Sequence, residues 1–482
     1  MTNRQRRPSA ATPMSTWRLL VLLVGCGDVG GDTAGREVEG TASDTGGSGG
    51  PTSAASFGDP SDSSGTATTA ATDDGAGVDT GVATDDTGDA PPARDAYRWY
   101  PALDKASIPF HAGAGPWGEA RPIQEAAEPV VADEVTVASC DEFIAEMLLG
   151  AREITIGADI DCNGAVVDGN VSDVDVVIPP GTILRSFVLG SYLAGHTTSR
   201  LRFRGPTVGQ HSGGQLHHVM WLAAPFDTIF DGIDCTGPGV IDGAQQAAIL
   251  YNGPAGERTA ITNVRGAAGS YFFIGTISDL VVTGSSFSSS IEPRGDSGQE
   301  GWVFRVIGAP GPTGNVFYDN DLRGTRYHKL RFHPSGTTGY AWVSDNNLVD
   351  MNEARILTVS QRLVSDPKGY YAGFWVERNE VWTDTNDPVH AGPDFSSDSA
   401  AYVRFEANVL HSDELTSDES LGIQDGSEAE PESPPGYPNV AIPDEQQDWS
   451  RAGNQFGAMQ PAPAWRASTP GDPTQIVWDL GD

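Results

Sequence analysis

The sequence predicts an all-β solenoid, and three observations carry that expectation. The first is a phrase used twice: Val316-Phe317-Tyr318-Asp319-Asn320-Asp321-Leu322 returns as Trp342-Val343-Ser344-Asp345-Asn346-Asn347-Leu348. Each copy has an apolar residue three before the Asn and a Leu two after it. The second is that a further short strand pattern follows each copy, at residues 327–333 and 354–359. Two strands per unit, repeated in register, mark a repeat architecture. The third is composition: 59 Gly and 33 Pro in 482 residues favour many short strands joined by turns.

Acids outnumber bases 65 to 29, a formal net charge of −36. Nucleic acid and anionic membrane surfaces both demand a basic face, so neither is an expected partner. An anionic polymer would bind only at a local basic cluster or through bridging cations. A monomer is expected.

The N-terminus carries Arg4, Arg6, Arg7 and Arg18, then an apolar run over 19–24, then Gly25-Cys26. A basic region, a short apolar core and small residues before the cut make a secretory signal, too short to span a bilayer. Leu23-Val24-Gly25-Cys26 resembles the lipobox of bacterial lipoproteins, which implies that Cys26 is diacylated and becomes the first mature residue. Residues 1–25 are then the signal peptide, and Met14 is an alternative start that keeps Arg18. The expected location is the bacterial cell envelope, lipid-anchored, at the outer membrane or cell surface. Residues 26–93 are dominated by Gly, Ser, Thr, Asp and Ala, and between 27 and 92 Phe57 is the only aromatic and Arg36 the only base. Such a segment buries too little apolar surface to offset ordering entropy, so it reads as a flexible, self-repelling tether. Residues 94–411 are the folded domain, and 412–482 an acidic, Pro-rich tail.

Inside the domain, Ser139-Cys140-Asp141-Glu142 has the pattern of a capping box. Phe143, Ile144, Met147 and Leu148 follow at helical spacing, and Gly150 ends the helix. The strand pattern of Glu153-Ile154-Thr155-Ile156 comes next. After it, Val174, Val176 and Ile178 alternate with other residues, as do Leu201 and Phe203 with Arg202 and Arg204. The repeated phrase recurs with Ser285, Asn379 and Asn408 at the key position, at spacings of 320 − 285 = 35, 26, 33 and 408 − 379 = 29. Stacked at one turn of successive coils, Asn320, Asn346, Asn379 and Asn408 would bond one another along the axis. Asn also tolerates the left-handed backbone that such a turn needs.

On the ladder and the helix-to-strand entry, the chain from about 139 to 410 resembles the right-handed parallel β-helix superfamily, often called pectate-lyase-like. That resemblance implies a short N-terminal capping helix over the open end of the stack. Cys140 opens the helix and Cys162 follows the first strand, so they form either a disulfide staple or two buried thiols. Cys235 is left over and reads as a small buried residue. Residues 450–457 and 474–480 are candidates for a C-terminal cap.

Strand alternation over 327–333 places Leu330 and Phe332 inward, so Lys329, Arg331 and His333 project outward together. Counting ten from each Asn sets Ile356 on Leu330 and Arg355 over Lys329. That register turns Leu357 and Val359 outward, whereas a slip of one would bring them in. With Arg323 and Arg326 nearby, this is the densest basic cluster of an acidic chain. Lyases of the resembled superfamily neutralise a uronate carboxylate and abstract the C5 proton. The resemblance implies Lys329 or Arg331 as base, His333 as proton donor and Arg355 as carboxylate clamp. Calcium is the compatible cofactor; Asp319, Asp321, Asp345, Asp350 and Glu353 lie close in sequence but form no ligand motif. In the competing reading the same cations merely solubilise a strand and pair with neighbouring acids. No family catalytic motif matches residue by residue.

Other chemistry has less support. His211, His217 and His218 lack the carboxylate and spacing of a metal site. The clustered Asp pairs and Gly-His-Gly of polygalacturonase-like hydrolases are missing from the sequence, which counts against hydrolysis. Trp302, Trp342, Trp375 and Trp382 are candidates for stacking sugars. Two functions compete: a surface lipoprotein directed at polysaccharide, acting as an acidic-polysaccharide lyase, and a non-catalytic surface protein that binds glycan or adheres.

Overall fold

The computed structural model describes residue 103 and residues 122–221, 225–237, 247–251, 255–268, 271–289, 302–324, 330–334, 336, 338–350, 357–359, 369–383, 389–391, 400–421, 448–466 and 469–476. Within them the chain is all-β, with 28 strands in one long parallel sheet. The strands sort into three stacks by their partners. The first runs from Asp133–Val137 through Arg152–Ile156, Val171–Val177, Thr198–Arg204, Pro225–Asp231 and Gly256–Thr262 into the second half of Tyr271–Thr283. It continues through Gly311–Tyr318, Thr338–Ser344, Tyr371–Glu377 and Ala400–Glu406 to Asp448–Ala452.

The other two stacks begin as one. Ile160–Val167 and Ile183–Leu189 lead to Gln215–Trp221, which pairs at its start with Asp234–Thr236 and at its end with Ala247–Tyr251. From there the second stack continues from Arg265–Ala268 to Gln455–Gly457. The third passes from the first half of Tyr271–Thr283 through Trp302–Gly308, Leu330–Pro334 and Leu357–Val359 to Val389–Ala391.

Period-two alternation sends one set of side chains inward. In the first stack Val176, Phe203, Phe230, Ile261, Val282, Phe317, Val343, Val376 and Phe405 lie in register and share a single core. Ring contacts run through that core from Phe143 to Phe374, with successive centroids 5.1–6.1 Å apart. Most of these pairs are edge-to-face and the rest tilted or stacked, and aromatic pairs of this kind add about 0.5–1.5 kcal/mol each beyond area burial.

The core also decides the register around Arg331. Leu330 pairs with Leu357, Arg331 with Thr358 and Phe332 with Val359, so the count of ten from each Asn is off by one. Leu357 and Val359 are buried. A connection can lengthen by one residue at little cost, whereas turning two apolar side chains outward costs their whole burial.

Buried amides bond the successive turns together. The backbone N–H of Ser285 donates to Asn320 Oδ1, Asn320 to Asn346, Asn346 to Asn379, Asn379 to Asn408, and Asn408 to Asn454, at 2.9–3.1 Å. Each Asn from 320 to 408 also gives one Nδ2 hydrogen to the next Oδ1 and the other to a backbone carbonyl of the preceding turn. At Asn346, Asn379 and Asn408 the side-chain oxygen accepts two hydrogen bonds and both amide hydrogens are donated, the condition under which buried polar groups stabilise; Asn320 Oδ1 accepts one, from Ser285. The left-handed residue is not the Asn, as the sequence suggests, but its predecessor: Asp319, Asp345, Arg378 and Ala407 have φ of 54–58°. The Asn itself stays out of the left-handed region. In the two preceding turns Ile233 and Val264 occupy the ladder position, so the ladder begins only at Ser285.

At the N-terminal end, Ser139 caps the helix Cys140–Leu149, whose Phe143 and Met147 enter the core. Glu142 Oε2 accepts from Ala138 N–H, one residue short of the reciprocal capping-box bond. Cys140 and Cys162 are joined as a disulfide, while Cys235 is free and buried. At the other end, Leu415 and Leu421 join the core and Asp448–Ala452 and Gln455–Gly457 form the last strands. Paired strands therefore extend beyond residue 411, into the segment that composition reads as tail. Residues 450–457 belong to this last turn, and 474–476 lie elsewhere, along the flank of the second stack.

Candidate functional site

Three outward faces follow from the three stacks. On the first, Ile229, Ala260, Val281, Val316, Trp342 and Trp375 form an apolar column in register. Leu103, Ile123 and Ala126 pack onto it. Trp342, Trp375 and, on the second face, Trp382 are buried, which withdraws them as platforms for sugars; the Trp302 side chain lies outside the described residues. Trp382 stacks on His411, with centroids 4.8 Å apart.

The C-terminal segment runs back along the second face. Ser286 Oγ donates to Gly471 O, Arg323 donates to Pro463 O and stacks 3.8 Å over Trp465, and Arg466 bonds Asp319, Asp321 and the Asp345 carbonyl. Asp321 is also held by both nitrogens of the Arg323 fork, and Asp345 by Arg378. Three of the five acids expected near a calcium ion, Asp319, Asp321 and Asp345, are thus engaged with arginines. Among the described residues no group of three or more His, Cys, Asp or Glu is arranged to hold a metal. The Asp350 side chain and Glu353 lie outside the described residues.

The third face carries Val188, Met220, Leu250, Ile274, Arg305, Arg331, Thr358 and His390 in register. Arg331 therefore stacks on Arg305, a residue that sequence reading passed over although Phe304-Arg305-Val306 mirrors Leu330-Arg331-Phe332. Both guanidinium side chains are half-buried. Lys329, Arg355, Arg326 and Cys26 lie outside the described residues. His333 occupies the outward register position beside Ile307 but is fully buried, so it does not project with Arg331 into solvent as a proton donor. Alternation sets direction only; whether an outward side chain meets water depends on what lies over it.

His211, His217 and His218 take separate positions. His211 Nε2 lies 2.8 Å from Asp234 Oδ1, and Arg265 grips the same carboxylate with two nitrogens. Burial would raise the Asp234 pKa, but bonds from His211 and Arg265 outweigh it and hold the group below the usual range. Burial, then the Arg185 charge, push His217 down to about 4; burial, then His217, do the same to His218. Folded values below the unfolded 6.5 mean that the unfolded chain binds protons more readily. The stability tied to these neutral imidazoles is complete above about pH 6.5 and is lost as pH falls towards 4. The expected result is a urea midpoint that drops across that window, with a smaller drop in His217→Gln.

Comparison of the chain with protein-family models, with curated proteins and with solved structures finds no match.

Proposed function

We propose that the chain is a right-handed parallel β-helix of the pectate-lyase-like type, held at the bacterial cell surface by a lipid on Cys26, and that its third face binds acidic polysaccharide. The observation that carries this reading is the stacked pair Arg305 and Arg331. Paired strands hold such residues about 4.8 Å apart, where like charges in register are destabilising in themselves. The repeat does not require them, since the preceding turns place Leu250 and Ile274 at the same position. A guanidinium is a planar fork whose shape fits a carboxylate. In a chain of net charge −36 such a cluster supplies the local positive field that an anionic polymer needs. The described terminal segments pack on the other two faces, which favours the third for a ligand.

The test uses the whole chain with Cys26→Ser, titrated with uronate polymers and with neutral polymers as controls. Binding is expected for the uronates only, weakening with salt. Arg305→Ala and Arg331→Ala should each reduce affinity about tenfold or more, the worth of a charge-assisted hydrogen bond. Equal affinity of both variants and the parent would sink the assignment. Unsaturated product accumulating in the same samples would add β-elimination to binding, with Arg331 the described candidate base. Labelling with radioactive palmitate, lost in Cys26→Ser, tests the anchor.

A further inference from the structure

Five residues of the first stack lie in register with left-handed backbone: Asp173, Arg200, Asp227, Arg258 and Asp279, with φ between 48° and 60°. Acid and base alternate along this column, and Arg200 and Arg258 bond Asp173 and Asp227, each at 2.5 Å through Nε. The Asp173–Arg200 bond is the main reason that the Asp173 carboxyl is held down to about 2. Each Asp also accepts a backbone N–H from the segment that precedes the first strand. Val130 donates to Asp173 at 3.0 Å, Ala127 to Asp227 at 3.0 Å and Gln124 to Asp279 at 3.1 Å.

The donors recur every third residue and the acceptors every second turn. Two inter-strand spacings come to about 9.6 Å. Three residues of polyproline-type chain rise about 9.3 Å. Burial follows the same period: Ile123, Ala126 and Pro129 are buried, and the residues between them are half-buried or exposed. The two repeats therefore stay in phase along the whole contact, with the segment running opposite to the direction of stacking.

We propose that residues 122–131 are a splint matched in period to the stack, and that they spread tension from the tether over the five turns of this column. This role rests on the anchoring proposed above. Residues 26–93 precede the segment in the chain, so a pull from the membrane meets it before the first strand. Among the described residues that strand, Asp133–Val137, pairs along one edge only, where bonds peel one at a time. A pull on the splint instead meets three carboxylates and three buried side chains at separated turns.

The test is one of phase, in the full chain. An alanine inserted between Glu128 and Pro129 shifts Gln124 and Ala127 away from Asp279 and Asp227. Duplication of Glu125-Ala126-Ala127 keeps the phase and leaves Ala or Pro at the three buried positions. Amide exchange over 122–131 should quicken about tenfold with the single insertion and stay near the parent with the duplication. Equal exchange in the two variants would overturn the period match. Pulled in an optical trap between residue 26 and the C-terminus, the single insertion should lower the force of the first unfolding step and the duplication should not. An unchanged force beside altered exchange would overturn the tension role. Absence of lipid on Cys26 would defeat the anchor while leaving the exchange result standing.

Discussion

Asn346→Ala is expected to destabilise the fold by about 3–5 kcal/mol, because at least two buried N–H groups lose their acceptor at about 1–3 kcal/mol each. Those groups are Asn320 N–H and Asn320 Nδ2–H, both of which donate to Asn346 Oδ1. The Phe317 carbonyl and Asn379 Oδ1 each lose a donor as well. A carboxylate is no substitute. In Asn346→Asp the ionised group cannot donate, and it faces the same two oxygens, so its folded pKa must rise above the unfolded value of about 3.9. The stability of that variant is then present below pH 4 and lost as pH rises, opposite to the behaviour of a salt-bridged Asp. Denaturant unfolding at pH 7 and near pH 4 measures both effects. Asn454 provides the control: it ends the ladder half-buried, donating to Asp418 Oδ1, so its loss should cost clearly less. Equal losses at 346 and 454 would mean that the ladder is not cooperative.

A second large effect is expected at Gly232, for a different reason. Its φ is +69°, and a Cβ there would lie 2.0 Å from Gln210 O and 2.9 Å from Gln210 C. Left-handed backbone costs an alanine about 1–2 kcal/mol. Overlap with a backbone atom that cannot swing away adds about 1–3 kcal/mol. The loop that would have to move carries His211, so Gly232→Ala should also loosen the His211–Asp234 contact. Gly181 separates the two causes, since its φ is +80° with nothing within 4 Å of the added atom. Gly181→Ala should cost only the backbone share, about 1–2 kcal/mol. Equal unfolding midpoints for the two variants would remove the close approach as a cause.

Much of the interior was legible because it repeats. The phrase around Asn320 and Asn346 names the inward apolar residue, the ladder amide and the following strand, and the same features recur at Asn379 and Asn408. Legibility failed where a turn departs from the phrase. Asn454 carries the last amide, but Arg451 stands at the position where Phe405 is apolar. Its guanidinium donates to Leu421 O, and Asp448–Ala452 is the last strand of this stack among the described residues. The packing of residues 122–131 was not legible because a period of three over Ile123, Ala126 and Pro129 matches neither a helix nor a strand.

The candidate site was legible only as direction. Alternation places Arg331 outward, yet it does not reveal that Arg305 lies beneath it or that His333 is covered. Those facts depend on which strands become neighbours and what crosses over them, and the connections vary in length from turn to turn.

What the sequence by itself determined was an all-β repeat with inward Phe, Val and Leu and a line of amides, because each turn must satisfy the same local constraints. Tertiary structure alone decided the register of Leu357 over Leu330, the pairing of Arg331 with Arg305 and the burial of His333 and the tryptophans. These are contacts between residues far apart in the chain, selected by burying whole faces at once, and no local pattern of residues encodes them.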